Sequence, residues 1–424
     1  MAYGVFWAEW SRRVSGETRD IRRARLLAKW LGVDDPKRPV LTVVGSKGKG
    51  TAATYASAYL AATGARVVTV TSPDLRGIRD RIRVDGRAIT DSDLARLAER
   101  LDAARRALGP HRPGDGYLSP GGLFIIAGVL YAMSRSADII VLEAGMGGVS
   151  DEVSLFAPTV VGITPVFGEH LGVLGDTPAE IATDKAGVVA ADTRVVVSAP
   201  QDPSVEKAIA DRIAAGTAGS ASLETVEASL ETVEPGAGGI PVRLLPRGLG
   251  RCNAELGCVA ARRLLDVTGR SAPSGDQLSK TLSTVLLPGR MSWHDVPGTT
   301  SRMFADSAIS RAGVAAALTE VSRHWSDISR VLLCMPDHKD VAGVISELTE
   351  LPVTFVRLTD FQRLRFTYAL PSSWEVVDTG AVGRDFLAAR GRRLVALGTG
   401  YFIARVLDLV DADTERLFTP PTTV

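Results

Sequence analysis

A glycine- and lysine-rich stretch, VVGSKGKGT at residues 43–51, directly follows a run of β-branched side chains. A turn from a strand into a helix offers backbone N–H groups at the positive end of the helix dipole, which is a ready anion site. Lys49 adds a point charge for a polyphosphate, and Thr51 supplies a hydroxyl that can ligate Mg²⁺. The stretch therefore predicts a phosphate-binding loop; the alternative is a glycine-rich turn without a ligand.

Two polar side chains with metal-binding chemistry follow other apolar runs. Glu143 ends the predicted strand at 138–142, where α/β sheets place their ligands, and its carboxylate suits Mg²⁺. His170 follows the next predicted strand, at 159–164; the residues alone favour a solvated histidine in that loop, because imidazole is an unusual partner for so hard an ion. From the residues alone, a capping or ion-paired role for Glu143 and a solvated His170 stay open.

Alternating strands and helices would position these side chains. Continuous Val/Ile runs suit a sheet covered on both faces, and they predict strands at 40–44, 66–71, 138–142, 159–164 and 193–198. Helical patterns lie between or after them, at 51–62, 91–107, 122–134, 177–189 and 252–265. The alternation predicts an α/β fold with a large, mainly parallel sheet of the phosphate-loop type.

The same alternation restarts after Pro288-Gly289. Strands are predicted at 304–306, 331–335, 353–358 and 393–397, and helices at 313–323, 341–348, 382–390 and 401–409. This pattern predicts a smaller, Rossmann-like α/β domain at the C-terminal end. We expect an ATP-binding domain at residues 1–290, a linker at about 291–299 and a second domain at 300–424.

Composition limits the classes of function. The 424 residues carry 49 Lys and Arg against 48 Asp and Glu, so no overall field favours nucleic acid or an anionic membrane. Three cysteines form no CxxC pair, which indicates a reducing compartment. The first 20 residues lack the pattern of a secretory signal, and no apolar run is long enough to span a membrane. We expect a cytoplasmic protein.

A series of further motifs occurs in order along the chain. Together with GSKGKGT, they resemble the motifs of the folylpolyglutamate synthase/dihydrofolate synthase family, within the Mur ligase superfamily of ATP-dependent amide-forming enzymes. The matching segments are TSPDL at 71–75, RIRVDG at 81–86, VLEAGMGG at 141–148, IT…EH…LGDT within 163–177, IATDKAG at 181–187, PGR at 288–290, DHKD at 337–340 and LGTGY at 397–401. The resemblance covers nearly the whole chain.

The resemblance implies a set of site residues. ATP would be bound by the loop residues Gly45, Ser46, Lys47, Gly48, Lys49, Gly50 and Thr51, and by Asn253 at the adenine, Arg290 at the phosphates and Asp306 at the ribose. Mg²⁺ would be held by Thr51, Ser72, Glu143 and His170. The lysine of the KAG motif, Lys185, would be carbamylated, which needs a neutral amine. The residues alone also allow an ion pair with Asp184 or Asp176, or a solvated side chain.

The chemistry that the resemblance implies is amide ligation with Lys49, Glu143, His170 and Lys185 as catalytic residues. The γ-phosphoryl group of ATP would pass to a small-molecule carboxylate, and the amine of an amino acid, with glutamate as the family default, would displace the phosphate. The protein would be a monomer or a weak homo-oligomer.

Departures from the family pattern concern mainly the acceptor side. The family motif DGAHNP reads DSAISR at 306–311, and the histidine of TSPHL is Asp74. The segment expected to hold a pterin, at 19–25, has also diverged. A ligase that acts on another carboxylate, a degenerate nucleotide-binding partner and an ATPase or kinase are the alternatives.

Overall fold

The computed structural model describes residues 2–112, 114, 116–169, 171–217, 222–225, 239–358 and 366–421. Its α-helices are α1 Ala2–Phe6, α2 Ile21–Trp30, α3 Lys49–Ala61, α4 Asp91–Ala107, α5 Pro120–Ser134, α6 Pro178–Ala186, α7 Pro203–Thr217, α8 Gly250–Val267, α9 Gly275–Leu282, α10 Arg311–Ser322, α11 Val341–Leu348, α12 Arg384–Ala388 and α13 Gly400–Leu409. Its strands are β1 Val40–Val44, β2 Val67–Val70, β3 Ile82–Val84, β4 Arg87–Ala88, β5 Ile139–Glu143, β6 Val160–Ile163, β7 Val195–Ser198, β8 Ser222–Thr225, β9 Ser292–Asp295, β10 Arg302–Asp306, β11 Arg330–Cys334, β12 Val353–Arg357, β13 Glu375–Asp378 and β14 Arg393–Gly398. Within this part of the chain, every helix is too short or too polar to cross a membrane.

The first sheet orders its eight described strands as β4-β3-β2-β5-β1-β6-β7-β8. Strands from β2 to β8 in that order pair in parallel, whereas β3 and β4 are antiparallel additions at one edge. The central strand β1 pairs Val43 with Glu143 of β5 and Val44 with Ile163 of β6. The carboxyl ends of three strands therefore meet at one edge, where α/β sheets bind their ligands.

Successive side chains of β1 point to opposite faces of the sheet, and helices cover both faces. Val40 and Val44 of β1 belong to one core, which is covered mainly by α2, α4, α5 and α6, and Leu41 and Val43 belong to the other, covered by α3, α8 and α9. All four side chains are buried. The continuous apolar run, in place of an apolar–polar alternation, is thus the signature of a sheet between two helix layers.

The second sheet orders its described strands as β13-β12-β11-β14-β10-β9, and only β9 is antiparallel to its neighbour. Helices α10 and α11 cover one face, and α12 and α13 cover the other. The predicted α/β fold with two sheets, the second one smaller, is confirmed. The domain limits stay a prediction, although β9 lies within the stretch at 291–299 that the sequence predicts as a linker.

The C-terminal segment 412–421 leaves the second sheet and returns to the first. Leu417 and Phe418 are buried in the core formed by α3, α8 and α9. The backbone of the segment pairs with the β3–β4 turn, since the N–H of Leu417 donates to the Gly86 carbonyl over 2.9 Å. Arg83, 1% exposed, donates to the Thr414 carbonyl over 2.8 Å. The chain therefore crosses between the two sheets twice.

Candidate active site

The glycine-rich loop at 45–51 lies between β1 and α3, at the carboxyl edge of the first sheet. Gly48 precedes α3 with φ +87°, and no side chain in the described part of the chain caps the helix there. Gly45 has φ +134°, and a Cβ atom on it would lie 2.0 Å from Thr164 Oγ1. Both glycines are required by the backbone conformation and the close packing, so the loop presents main chain where an anion would bind.

Three lysines surround this loop with few compensating anions. Lys49 Nζ donates to the Gly45 and Ser46 carbonyls over 3.1 and 3.4 Å, and Lys185 Nζ donates to the same Gly45 carbonyl over 2.8 Å. Burial, with Lys49 nearby, lowers the pKa of Lys185 to about 8. Burial also lowers the pKa of Lys47 to about 8. Among the described residues, the hydrogen bonds of the Lys49 and Lys185 ammonium groups go to neutral carbonyls, which favours the binding of a polyanion.

Helix α6 positions Lys185 through contacts with the loop after β5. The Asp184 carboxylate accepts the Gly148 N–H over 2.7 Å. A Cβ atom on Gly148 would lie 2.3 Å from the Lys185 carbonyl oxygen, so only glycine allows this approach. Lys185, 2% exposed, is consequently fixed beneath the glycine-rich loop.

Glu143 places a buried carboxylate beside the same loop. Glu143 is 4% exposed, and its Oε2 accepts a hydrogen bond from the Ser72 N–H over 2.9 Å. A Cβ atom on Gly50 would lie 3.4 Å from Oε2. Burial raises the pKa of Glu143, and the charge of Lys49 opposes this only in part. The positive charges near Glu143 therefore do not fully compensate for the burial of its carboxylate.

This arrangement fits a magnesium ion bound together with phosphates. The hydroxyl-bearing residues Thr51 and Ser72 line the same cleft as Glu143, and Mg²⁺ is commonly held by one or two carboxylates, waters and substrate phosphates. His170, the remaining predicted ligand, lies outside the described residues. Among those that are described, no group of three or more His, Cys, Asp or Glu could hold a metal ion.

Asn253 reaches the loop because α8 packs closely on α3. A Cβ atom on Gly257, one turn further along α8, would lie 2.1 Å from the Ala52 carbonyl oxygen, and a Cβ atom on Gly48 would lie 2.2 Å from the Asn253 amide. The amide Nδ2 donates to the Leu249 carbonyl over 3.1 Å. Its Oδ1 is buried and has no hydrogen-bond partner among the described residues.

Arg290 and Asp306 lie where the chain passes into the second sheet. The Met291 N–H donates to Asp306 Oδ2 over 2.8 Å, and Met291 has φ +47°. Burial raises the pKa of Asp306, with the charge of Arg290 as the largest opposing effect. Asp306 therefore stabilises the connection between the domains through its bond to the Met291 N–H. Arg290 lines the cleft and interacts electrostatically with both Asp306 and Lys47.

The sequence did not predict two ion pairs that lie near the site. Lys339 Nζ lies 3.1 Å from Glu169 Oε1 and joins the second domain to the loop after β6. Arg81 donates to Asp74 Oδ1 from Nε over 2.9 Å and from Nη2 over 2.8 Å. All four residues of these pairs belong to motifs that the sequence analysis named, but the motifs do not indicate which residue pairs with which.

The cleft between the two domains contains about 660 Å³ of space, part of which is open to solvent. Its polar lining consists of the last residues of the glycine-rich loop, the Glu143 carboxylate and residues of the 71–75 segment. Its apolar side is formed by residues around the domain connection, α13 and the C-terminal segment, which are Leu75, Leu287, Pro288, Ile403, Ala404, Leu407 and Leu417. An acceptor with an apolar body and a reactive carboxylate fits this division.

Comparison with known proteins gives the following relatives. A Haloferax volcanii protein described as "Probable bifunctional folylpolyglutamate synthase/dihydropteroate synthase" is 31% identical over 424 residues, covering 92% of this chain. The chain spans about half, 48%, of that relative's length. The dihydrofolate synthase/folylpolyglutamate synthase of Escherichia coli is 26% identical over 96% of this chain and 95% of its own length.

Among solved structures, the Mycobacterium tuberculosis folylpolyglutamate synthase complexed with ADP and AMPPCP superposes with a TM-score of 0.74 at 19% identity. The match covers 93% of this chain and 96% of that one, and it shows the same fold. No family model matches the chain.

Proposed function

Since this chain belongs to the folylpolyglutamate synthase/dihydrofolate synthase family, we propose that it is an ATP-dependent ligase that joins a carboxylate to an amino acid. The observation that carries this proposal is the meeting of the glycine-rich loop, Lys49, Lys185 and Glu143 at one edge of the first sheet. A polyphosphate and a divalent cation together balance these charges.

The chain's residues divide the work of binding ATP. Backbone N–H groups of the loop and the first turn of α3 hold the phosphates, and Lys49 and Arg290 add positive charge. Asn253, whose Oδ1 has no hydrogen-bond partner among the described residues, is the residue that the family resemblance assigns to the adenine. Lys49 leaves the Gly45 and Ser46 carbonyls when a phosphate offers a charged acceptor, because charge-assisted hydrogen bonds are the stronger ones.

The reaction has two steps. A carboxylate oxygen of the acceptor attacks the γ-phosphorus, the bond from that phosphorus to the bridging oxygen breaks, and ADP leaves. The uncharged amine then attacks the acyl carbon, loses a proton and expels inorganic phosphate as the carbon–oxygen bond breaks. The protein contributes position and charge neutralisation, and the cleft excludes water that would hydrolyse the acyl phosphate.

Thr51, Ser72 and Glu143 would hold Mg²⁺, with His170 added by the family resemblance. When bound, the ion neutralises phosphate charge. The neutral amine of Lys185 would add to CO₂, giving a carbamate and releasing a proton. Its lowered pKa supports this, since about a tenth of the amine is neutral at pH 7 when the pKa is about 8.

Glutamate and a folate are the substrates that the family favours, and the relatives' names point to folates and dihydropteroate. A second candidate is a different carboxylate, which is supported by the changed loop at 307–311. Where the motif has histidine, asparagine and proline, this chain has Ile309, Ser310 and Arg311. Ser310 caps α10, and Arg311 binds Glu347 over 2.9 Å.

A product screen by mass spectrometry tests the proposal. Dihydropteroate, folates and other aryl carboxylates are each incubated with ATP, Mg²⁺ and the common amino acids, and ADP release is followed in parallel. A ligase releases ADP over many turnovers only when both the acceptor and the amino acid are present. A kinase needs the acceptor alone, and a nucleotide-binding partner protein releases no ADP with either.

Two variants connect the activity with the site. Lys49→Ala and Glu143→Ala are each expected to abolish turnover, because each removes the charge nearest the phosphates or the cation. Full activity in either variant would refute the assignment. For Lys185→Met, activity restored by formate or acetate supports the carbamate, and normal activity without them rules it out.

A further inference from the structure

Asp74 is a charged residue that lines the cleft close to the predicted reaction centre. It stands two residues after Ser72, whose N–H binds Glu143, so their Cα atoms are at most about 7 Å apart. Its side chain is 28% exposed and borders the same cleft as Glu143 and Arg290. A ligand that fills the cleft therefore meets a carboxylate beside the site where the acyl phosphate forms.

Arg81 holds this carboxylate in one orientation. Both of its hydrogen bonds, from Nε and Nη2, reach the same oxygen, Oδ1. The guanidinium is itself fixed, since its carbon lies 4.8 Å from the centre of the Phe124 ring and the side chain is only 8% exposed. Oδ2 makes no hydrogen bond to any residue that the structure describes, and it is therefore available to a ligand.

The charge of Asp74 selects which substrate group it can bind. The reactive carboxylate of the acceptor would be repelled by it, as by Glu143, and belongs with Lys49 and Arg290 instead. The apolar body of an acceptor fits the apolar lining of the cleft, which includes Ile403 and Leu407. The substrate group with a positive charge is the amine of the amino acid, which is protonated before it reacts and must approach the acyl carbon.

We propose that Asp74, oriented by Arg81, binds the amino group of the incoming amino acid and places it beside the acyl phosphate. This inference rests on the proposed ligase function and assigns the residue that receives its second substrate. The Asp74 carboxylate would accept a charge-assisted hydrogen bond from the ammonium or amine group. The neutral amide of asparagine in its place would accept a weaker bond.

The test separates the two halves of the reaction. Hydroxylamine, which is uncharged near neutral pH, traps the acyl phosphate as a hydroxamate and needs no carboxylate to attract it. We compare the wild type with Asp74→Asn and Asp74→Glu, using ATP, Mg²⁺, dihydropteroate or folate, and either glutamate or hydroxylamine. The matched control is Asp408→Asn, which removes a carboxylate that pairs with Arg76 at 61% exposure outside the cleft.

The expected result is a rise of the KM for glutamate by about ten- to a hundredfold in Asp74→Asn, the loss that one charged hydrogen bond represents. Hydroxamate formation and the KM for the acceptor stay within twofold of wild type. Asp74→Glu recovers part of the affinity for glutamate, and Asp408→Asn changes nothing.

Other results would overturn the inference. An unchanged KM for glutamate, or a rise in the KM for the acceptor in its place, removes Asp74 from the amine site. Loss of hydroxamate formation in Asp74→Asn would assign the residue to the first step or to folding. A wild-type protein that forms neither hydroxamate nor amide with any carboxylate of the product screen rejects the ligase function itself, so the two failures are distinguishable.

Discussion

Replacing Lys185 with methionine is expected to abolish turnover and to stabilise the folded protein at neutral pH. Burial lowers the pKa of this lysine from 10.5 to about 8, which corresponds to about 3 kcal/mol for carrying its charge inside the protein. Methionine has a similar length and no charge to bury. The lost hydrogen bond to the Gly45 carbonyl offsets about 1–3 kcal/mol of this gain.

The pH dependence is the sharper part of this prediction. Because the folded-state pKa lies below the unfolded one, the folded wild type carries the full cost of the charge below about pH 8. As the pH rises from about 8 to 10.5, the folded state loses its proton first, and the stability of the wild type rises relative to the variant. About 2 kcal/mol of the variant's advantage should disappear between about pH 7 and about pH 9.5.

Urea unfolding of both proteins in CO₂-depleted buffer measures this difference, since carbamylation would also remove the charge. Lys207→Met is the matched control, because Lys207 is 75% exposed and pairs with Asp211 on the surface of α7. It should show no comparable pH dependence. A difference between Lys185→Met and wild type that stays constant from pH 7 to 9.5 would refute the assignment of a strained, buried ammonium at this position.

Two further substitutions test the packing around the site. Gly45→Ala should weaken ATP binding at least tenfold in calorimetry, since its Cβ atom would overlap Thr164 Oγ1 at φ +134°, whereas Gly64→Ala, at φ +87° with nothing within 4 Å, should bind ATP normally. Phe418→Ala should reduce the free energy of unfolding by about 3–5 kcal/mol, because the ring is 2% exposed, whereas Leu286→Ala, at 58% exposure, should stay within about 0.5 kcal/mol. Equal effects in the members of either pair would contradict the packing.

The fold was predictable wherever burial leaves a local pattern. Residues 40–44 are apolar without interruption because helices cover both faces of β1, and the predicted limits agree with the strand at both ends. Helix 91–107 also agrees with α4, which starts at the Thr90 cap. The strands β3 and β4 were not predicted. Their sequence, RIRVDGRA, is too polar for the pattern because they lie at the edge, and Arg83 is buried by the distant C-terminal segment.

The site was predictable to the extent that its residues follow strands. The loop at 45–51 and Glu143 come directly after β1 and β5, and neighbouring parallel strands must bring their ends together. The contacts of Asn253 with Gly48, and of Lys339 with Glu169, join residues about 170 to 200 positions apart. Such contacts depend on how helices and domains pack, and no local spacing predicts them.

The positions that depart from the family motifs bear on whether the protein is a degenerate one. Asp74 replaces a histidine, yet it is held by two hydrogen bonds from Arg81. Arg311 stands where the motif has proline, and its N–H and guanidinium bind Asp340 and Glu347 over 2.8 and 2.9 Å. A site released from function would be expected to collect unpaired polar groups, because nothing selects their partners. Here Asp74 and Arg311 are paired, although the buried hydroxyl of Ser307, which replaces the motif's glycine, has no hydrogen-bond partner among the described residues. The glycine-rich loop at 45–51 keeps its glycines. This combination favours a ligase with a reshaped acceptor side over a protein that only binds nucleotide.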